Sequence, residues 1–114
     1  MDGLNKKNLA TEIVAYLTEL ISIPTAYPPG DTSQMATYLS NTFTAMGYAT
    51  EIHAAVSGLD NLVAKIGSGS PSLVFNVHVD TVDAGDLSLW SRPPLEATVE
   101  DNLVFGLGSA NCKG

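Results

Sequence analysis

Cysteine, basic side chains and long apolar runs are what this chain has least of, and each shortage excludes something. A single cysteine in 114 residues, Cys112, rules out an internal disulfide and suits a reducing compartment. Five Lys and Arg stand against twelve Asp and Glu, for a formal net charge of -7. Nucleic-acid phosphates need Lys and Arg clusters that this composition does not supply. The same acidity disfavours an anionic membrane surface. No apolar run approaches the roughly 20 residues that cross a bilayer. Lys6 and Lys7 are followed by Glu12 and Glu19 rather than by an uninterrupted signal-peptide core. These shortages predict a soluble cytoplasmic protein without nucleic-acid or membrane partners. What remains is globular: 45% hydrophobic and 15% charged residues, enough for at most one domain with a modest core.

Punctuation along the chain predicts two helices followed by several strands. Asn5 or Asn8 can cap a first helix in which Leu9, Ile13, Leu17, Leu20 and Ile21 recur at spacings of three and four, and Pro24 ends it. Pro28-Pro29-Gly30 is a loop. Asp31, three residues before Gln34, opens a second helix with Met35, Tyr38, Leu39, Thr42, Phe43 and Met46 on its buried face and Gly47 as its left-handed cap. Thr50–Ala54 reads as an edge strand and Asn61–Ile66 as its neighbour. Gly67-Ser68-Gly69-Ser70-Pro71 is a short connection that favours antiparallel pairing. A polar loop spans Asp83–Pro94. A hairpin then forms around Asp101-Asn102, a pair that tolerates positive φ.

The stretch that promises chemistry is Ser72–Asp83, SLVFNVHVDTVD. Leu73, Val74, Phe75 and Val77 suit a strand buried on both faces, which makes this the expected central strand. His78 and Asp80 would then stand at its carboxyl end, where open α/β sheets bind ligands. Side chains two apart share a face of a strand, so the imidazole and the carboxylate can touch. A carboxylate on one ring N–H orients the other nitrogen toward a metal. Taken alone His-x-Asp is short and common, and a surface histidine paired with a nearby acid is then the commoner reading.

Further pieces follow in order: Asn61-Leu62-Val63-Ala64, His78-Val79-Asp80-Thr81-Val82, Trp90, and Gly106-Leu107-Gly108-Ser109-Ala110-Asn111-Cys112-Lys113-Gly114. Together they resemble the dinuclear zinc amidohydrolase and peptidase family typified by acetylornithine deacetylase, succinyl-diaminopimelate desuccinylase, aminoacylase and carboxypeptidase G. That family has N-L-V-A, H-x-D-x-V, a loop tryptophan and G-R-G-x-x-D-M-K-G in this order. With the first helix, Ile23-Pro24-Thr25 and Pro28-Pro29-Gly30-Asp31, the resemblance runs from about Leu9 to Gly114.

The resemblance implies an α/β fold, the three-layer αβα zinc-peptidase arrangement with a mixed central sheet, of which residues 1–114 would be the amino-terminal part. It implies His78 as a zinc ligand and assigns Asp80 to the catalytic site as the carboxylate that orients it. It also implies a cis peptide between Asp80 and Thr81. Asn111 falls where the family has an aspartate bridging two zinc ions about 3.5 Å apart. An asparagine offers a metal one neutral oxygen, so a dinuclear site is expected to be weakened or lost. Leu107 replaces the family's arginine. Cys112 reads as a small buried hydrophobe in place of methionine, Lys113 as solvated, His53 as surface and Trp90 as packing over strand ends.

Other chemistries fail on spacing. A P-loop needs glycine before its lysine and Ser or Thr after it, where Cys112 and Gly114 stand; a dinucleotide fingerprint needs glycine at Asn111. There is no G-x-S-x-G elbow. The expectation is a lineage of metal-dependent hydrolases cleaving amide bonds of N-acyl amino acids or short peptides. A catalytic zinc takes about three protein ligands, so this chain is expected to lack most of the ligands and the general base. The alternatives are a catalytically inactive scaffold or interaction module, associating with partners or with itself through an exposed sheet edge, and a truncated fragment.

Overall fold

Pro24 does what its position predicts: the first helix, α1 (Lys6–Ser22), stops two residues before it. A computed structural model describes the backbone from Lys6 and the side chains from Asn8, each to Gly114. Asn5 lies outside the described residues, and Asn8 is inside the helix rather than at its cap. The chain divides into two compact units, one made by the segment ending at Pro24 together with Ala84–Gly114, the other by Thr25–Asp83.

In the first unit the apolar stripe of α1 is used only at its carboxyl end. Ile21 is fully buried and Ile23 nearly so, whereas Leu9 and Ile13 are exposed. The burial comes from the last segment of the chain. Gly106 lies so close to Ile21 that a Cβ there would sit 2.8 Å from Cγ2 of Ile21. Leu107, beside it, is buried, and its N–H donates to the Pro94 carbonyl at 2.7 Å. The expected hairpin is present as β5 (Thr98–Glu100) and β6 (Leu103–Phe105), paired Thr98↔Phe105 and Val99↔Val104. Asp101 and Asn102 turn it with φ of 50° and 63°, the left-handed values that an Asp-Asn pair tolerates. The polar loop before it holds a short 3-10 turn, Leu87–Leu89, capped by the Asp86 carboxylate accepting from the Ser88 N–H.

In the second unit α2 (Ser33–Ala45) lies against an antiparallel ladder of β2 (Ala49–Ala54) and β3 (Asp60–Lys65). Met35 and Ala36 are buried, Tyr38, Leu39, Thr42 and Phe43 half-buried, and Met46 exposed. Gly47 ends the helix at φ 90°. The Tyr48 N–H reaches back to Phe43 and the Gly47 N–H to Thr44, the paired bonds of a Schellman cap. The Phe43 and Tyr48 rings meet edge to face at 5.1 Å over it. At the other end Asp31 is not the N-cap. Thr32 holds that position without a side-chain cap, and Asp31 accepts from the Ser33 N–H and hydroxyl instead. Thr32 is buried because it ties the helix to the ladder: its N–H donates to the Gly58 carbonyl, its hydroxyl donates to the Asp60 carbonyl at 2.8 Å, and it accepts the Asp60 N–H at 2.9 Å.

The expected central strand is the main correction. From Ser72 to Asp80 there is no strand, and Leu73, Val74, Phe75 and Val77 are exposed. Only Thr81–Val82 (β4) is paired, in parallel with β1 (Ala26–Tyr27), a two-residue strand that the Pro-rich sequence concealed. A strand buried on both faces needs neighbours on both edges, and the described residues supply a partner for only two positions of this run. Helices combine with one parallel and two antiparallel ladders, an α/β make-up, but the three ladders are separate pairs rather than one mixed central sheet.

Candidate functional site

His78 and Asp80 stand on the segment that leads into β4, and Thr25 fixes that segment. The Thr25 hydroxyl donates to the Val79 carbonyl at 2.8 Å, and the Thr25 carbonyl accepts the Thr81 N–H at 3.1 Å. Thr25 is one of the most buried side chains of the chain, and nothing in the hydrophobic periodicity marked it; only its place after Ile23-Pro24 did. The anchoring brings the imidazole and the acid together. Nδ1 of His78 lies 3.0 Å from the Asp80 carbonyl oxygen and 3.3 Å from Oδ1 of Asp80. A carbonyl only accepts, so Nδ1 carries the hydrogen in this arrangement and the neutral ring keeps its lone pair on Nε2, the atom that would meet a metal. Both side chains are about half exposed, at 51% and 53%. The Asp80–Thr81 peptide is not among the cis bonds, which all precede proline, so the expected cis geometry is absent.

A second pair of the same spacing weighs against reading this contact alone as a metal site. Nε2 of His53 lies 3.2 Å from a carboxylate oxygen of Glu51 on the exposed face of β2. Two His–carboxylate pairs two residues apart reach nearly the same distance, and both lie on segments held by backbone pairing or hydrogen bonds. Thr81 adds an unusual feature beside Asp80: its hydroxyl is buried and has no hydrogen-bond partner. A neutral hydroxyl is a poor zinc donor, so that orphan does not complete a ligand set. Among the described residues no three His, Cys, Asp or Glu side chains are grouped so as to hold a metal ion. The residues present therefore do not make a zinc site by themselves.

Asn111 belongs to the other unit, in the turn-rich segment after β6. Its side-chain oxygen, the atom that would have to serve a metal, accepts the N–H of Cys112 at 2.7 Å and is thus turned onto its own loop. Two neighbours depart from expectation. Cys112 is exposed rather than a small buried hydrophobe, and Lys113 is buried rather than solvated. The Lys113 ammonium donates to the Ile23 carbonyl at 2.9 Å, and its burial lowers its pKa from the ordinary lysine value. α1 has no basic residue in its last turn, so Lys113 brings the favoured cation to that helix end from 90 residues away. Trp90 is half-buried, its ring N–H donating to the Ala84 carbonyl at 2.8 Å. A concavity of about 250 Å³ lies among Trp90, Arg92, Phe105 and Ser109. The Arg92 guanidinium there is already engaged, by Glu100 and by the Phe105 ring 4.0 Å below it.

No family model matches the chain. Comparison with curated proteins finds succinyl-diaminopimelate desuccinylase of Ehrlichia canis, 34% identical over 110 residues that make up 92% of this chain and 28% of that protein. The Xanthobacter autotrophicus protein of the same name is 35% identical over 104 residues, 89% of this chain and 27% of its own length. A protein of Staphylococcus epidermidis described as a probable succinyl-diaminopimelate desuccinylase is 52% identical over 54 residues, 47% of this chain and 13% of its own. The chain thus spans little more than a quarter of the length of these relatives at most.

Proposed function

Because the chain belongs to the amidohydrolase and peptidase family of the succinyl-diaminopimelate desuccinylases, we propose that it is the amino-terminal part of a hydrolase that removes acyl groups from small N-acyl amino acids or short peptides. The observation that carries this reading is identity of 34% across 92% of the chain with a desuccinylase. In this reading the whole enzyme has the three-layer αβα fold, works in the cytoplasm and uses zinc. His78 is a metal ligand, Asp80 is the carboxylate that fixes its tautomer, and Asn111 occupies the metal-bridging position. The contact of Nδ1 with Asp80 supports the first two roles, since a metal-ligating histidine characteristically donates its other ring N–H to a carboxylate or carbonyl oxygen. The Asn111 oxygen held by Cys112 supports a weakened third.

The 114-residue chain is not itself the catalyst in this account. It supplies an oriented imidazole and one amide oxygen, whereas water activation on zinc takes about three protein ligands and an open position. Zinc analysis of the purified chain, with an N-succinyl or N-acetyl amino acid hydrolysis assay, tests the proposal. Expected is weak, substoichiometric zinc that falls in His78→Ala and rises in Asn111→Asp, with no turnover. Stoichiometric zinc with turnover would overturn the incompleteness. Zinc uptake indifferent to both substitutions would overturn the metal roles.

A further inference from the structure

Among the described residues Lys113 is the one buried side chain that carries a charge, and the hydrolase reading leaves it unused. It is 7% exposed, yet it makes no ion pair with any described carboxylate. Its ammonium rests on a neutral group instead, the Ile23 carbonyl just past the end of α1. The negative end of the helix improves that acceptor, but a lysine taken out of water still costs more than one left in it. A methionine would fill the same space without a charge. What the ammonium adds is a tie, and the tie reaches the loop that carries Asn111.

We propose that Lys113 is a positioning residue for Asn111: by fastening this loop to the end of α1 it sets where the Asn111 side chain stands. The inference rests on the hydrolase reading for what position 111 does, and on the contacts alone for how it is held. Leu107 and Lys113 are buried, whereas Ala110, Asn111 and Cys112 between them are exposed. A loop with an exposed middle takes its place from its two ends. One end is fixed by Gly106 against Ile21 and by the Leu107 N–H on the Pro94 carbonyl at 2.7 Å. The other is fixed by Lys113, whose Nζ donates to Ile23 at 2.9 Å. Inside these anchors the Asn111 N–H donates to the Gly108 carbonyl at 3.1 Å, and the Asn111 carbonyl accepts the Gly114 N–H at 3.0 Å. With the Lys113 anchor gone, the loop is held from one side only and Asn111 loses its fixed place. If the ammonium only capped α1, its removal would loosen the helix end and leave position 111 as it was.

Amide hydrogen exchange of the 114-residue chain, followed by NMR without metal, separates the two. The Cys112 N–H is the reporter, because it is bonded to the Asn111 side-chain oxygen. Lys113→Met keeps the length and removes the donor. It should speed exchange at Asn111 and Cys112 by about tenfold or more, while the amides of α1 and of the β5–β6 hairpin keep their rates. In a Cys112→Ser background, Lys113→Cys alkylated with 2-bromoethylamine rebuilds an ammonium at lysine length, and protection of the residue 112 amide should return. Unchanged rates in Lys113→Met would overturn the proposal, as would protection that the rebuilt ammonium does not restore. Loss of protection spread evenly over α1 and the hairpin would also overturn it, since Lys113 would then hold the whole unit rather than the loop. Zinc gives a separate reading: added to Asn111→Asp, Lys113→Met should weaken zinc binding by about tenfold, and unweakened zinc beside a loosened loop would overturn the positioning role. Absence of zinc from every variant would count against the metal roles alone, because the exchange rates are read without it.

Discussion

Within Thr25–Asp83, two stretches that the sequence marks as extended meet opposite fates. The β2–β3 ladder is paired along six positions and has α2 on one side, so alternate residues Asp60, Leu62 and Ala64 are sheltered while Asn61, Val63 and Lys65 are not. The run Leu73–Val77 is the more apolar of the two, yet it is unpaired and exposed. Hydrophobicity thus decides which residues gain from burial, and the presence of a partner surface decides whether they obtain it.

The largest effect should come from setting these two stretches side by side. Met35 is the fully buried residue of α2 in the unit that holds the ladder, and Met35→Ala should cost about 2 to 4 kcal/mol of stability, whereas Phe75→Ala should change the monomer by less than about 0.5 kcal/mol. Urea midpoints at low protein concentration measure both, and comparable losses would erase the distinction. Next is the tie that closes the ladder onto α2. Thr32→Ala strips Asp60 of a donor and an acceptor and should remove about 2 kcal/mol, most of it restored by Thr32→Ser. A Thr32→Ala protein as stable as wild type would mean that the ladder closes without it. The smallest is a pH effect. Hydrogen bonds from the Ser33 hydroxyl and N–H hold the Asp31 carboxyl below its ordinary pKa. A depressed carboxylate contributes stability above its unfolded pKa and loses it as pH falls through the folded value. The acid limb of the stability curve should therefore flatten slightly in Asp31→Asn. An unchanged limb would remove Asp31 from the closure of this region.

Much of the local structure was legible because local chemistry fixes it. Pro24 stopped α1, Gly47 capped α2 with φ 90°, and Asp101-Asn102 turned the last hairpin, each through backbone preferences that hold in any context. The candidate site was legible in part. Spacing by two allowed the contact between His78 and Asp80, and the same spacing at Glu51 and His53 shows that it does not by itself mark a site. Thr25 stands out in the sequence only as part of Ile23-Pro24-Thr25; its bond to a segment 54 positions further along is something no local pattern announces.

The sequence by itself determined where the two helices end, where the last hairpin turns, and to which family the chain belongs, since those depend on residue type, spacing and order. Only the tertiary structure decided burial and remote pairing. It gave Thr81–Val82 to Ala26–Tyr27, buried Lys113 on the Ile23 carbonyl and left Leu73–Val77 uncovered. The reason is physical: a side chain leaves water only where another part of the molecule takes the water's place, and which part does so is set by the assembled chain.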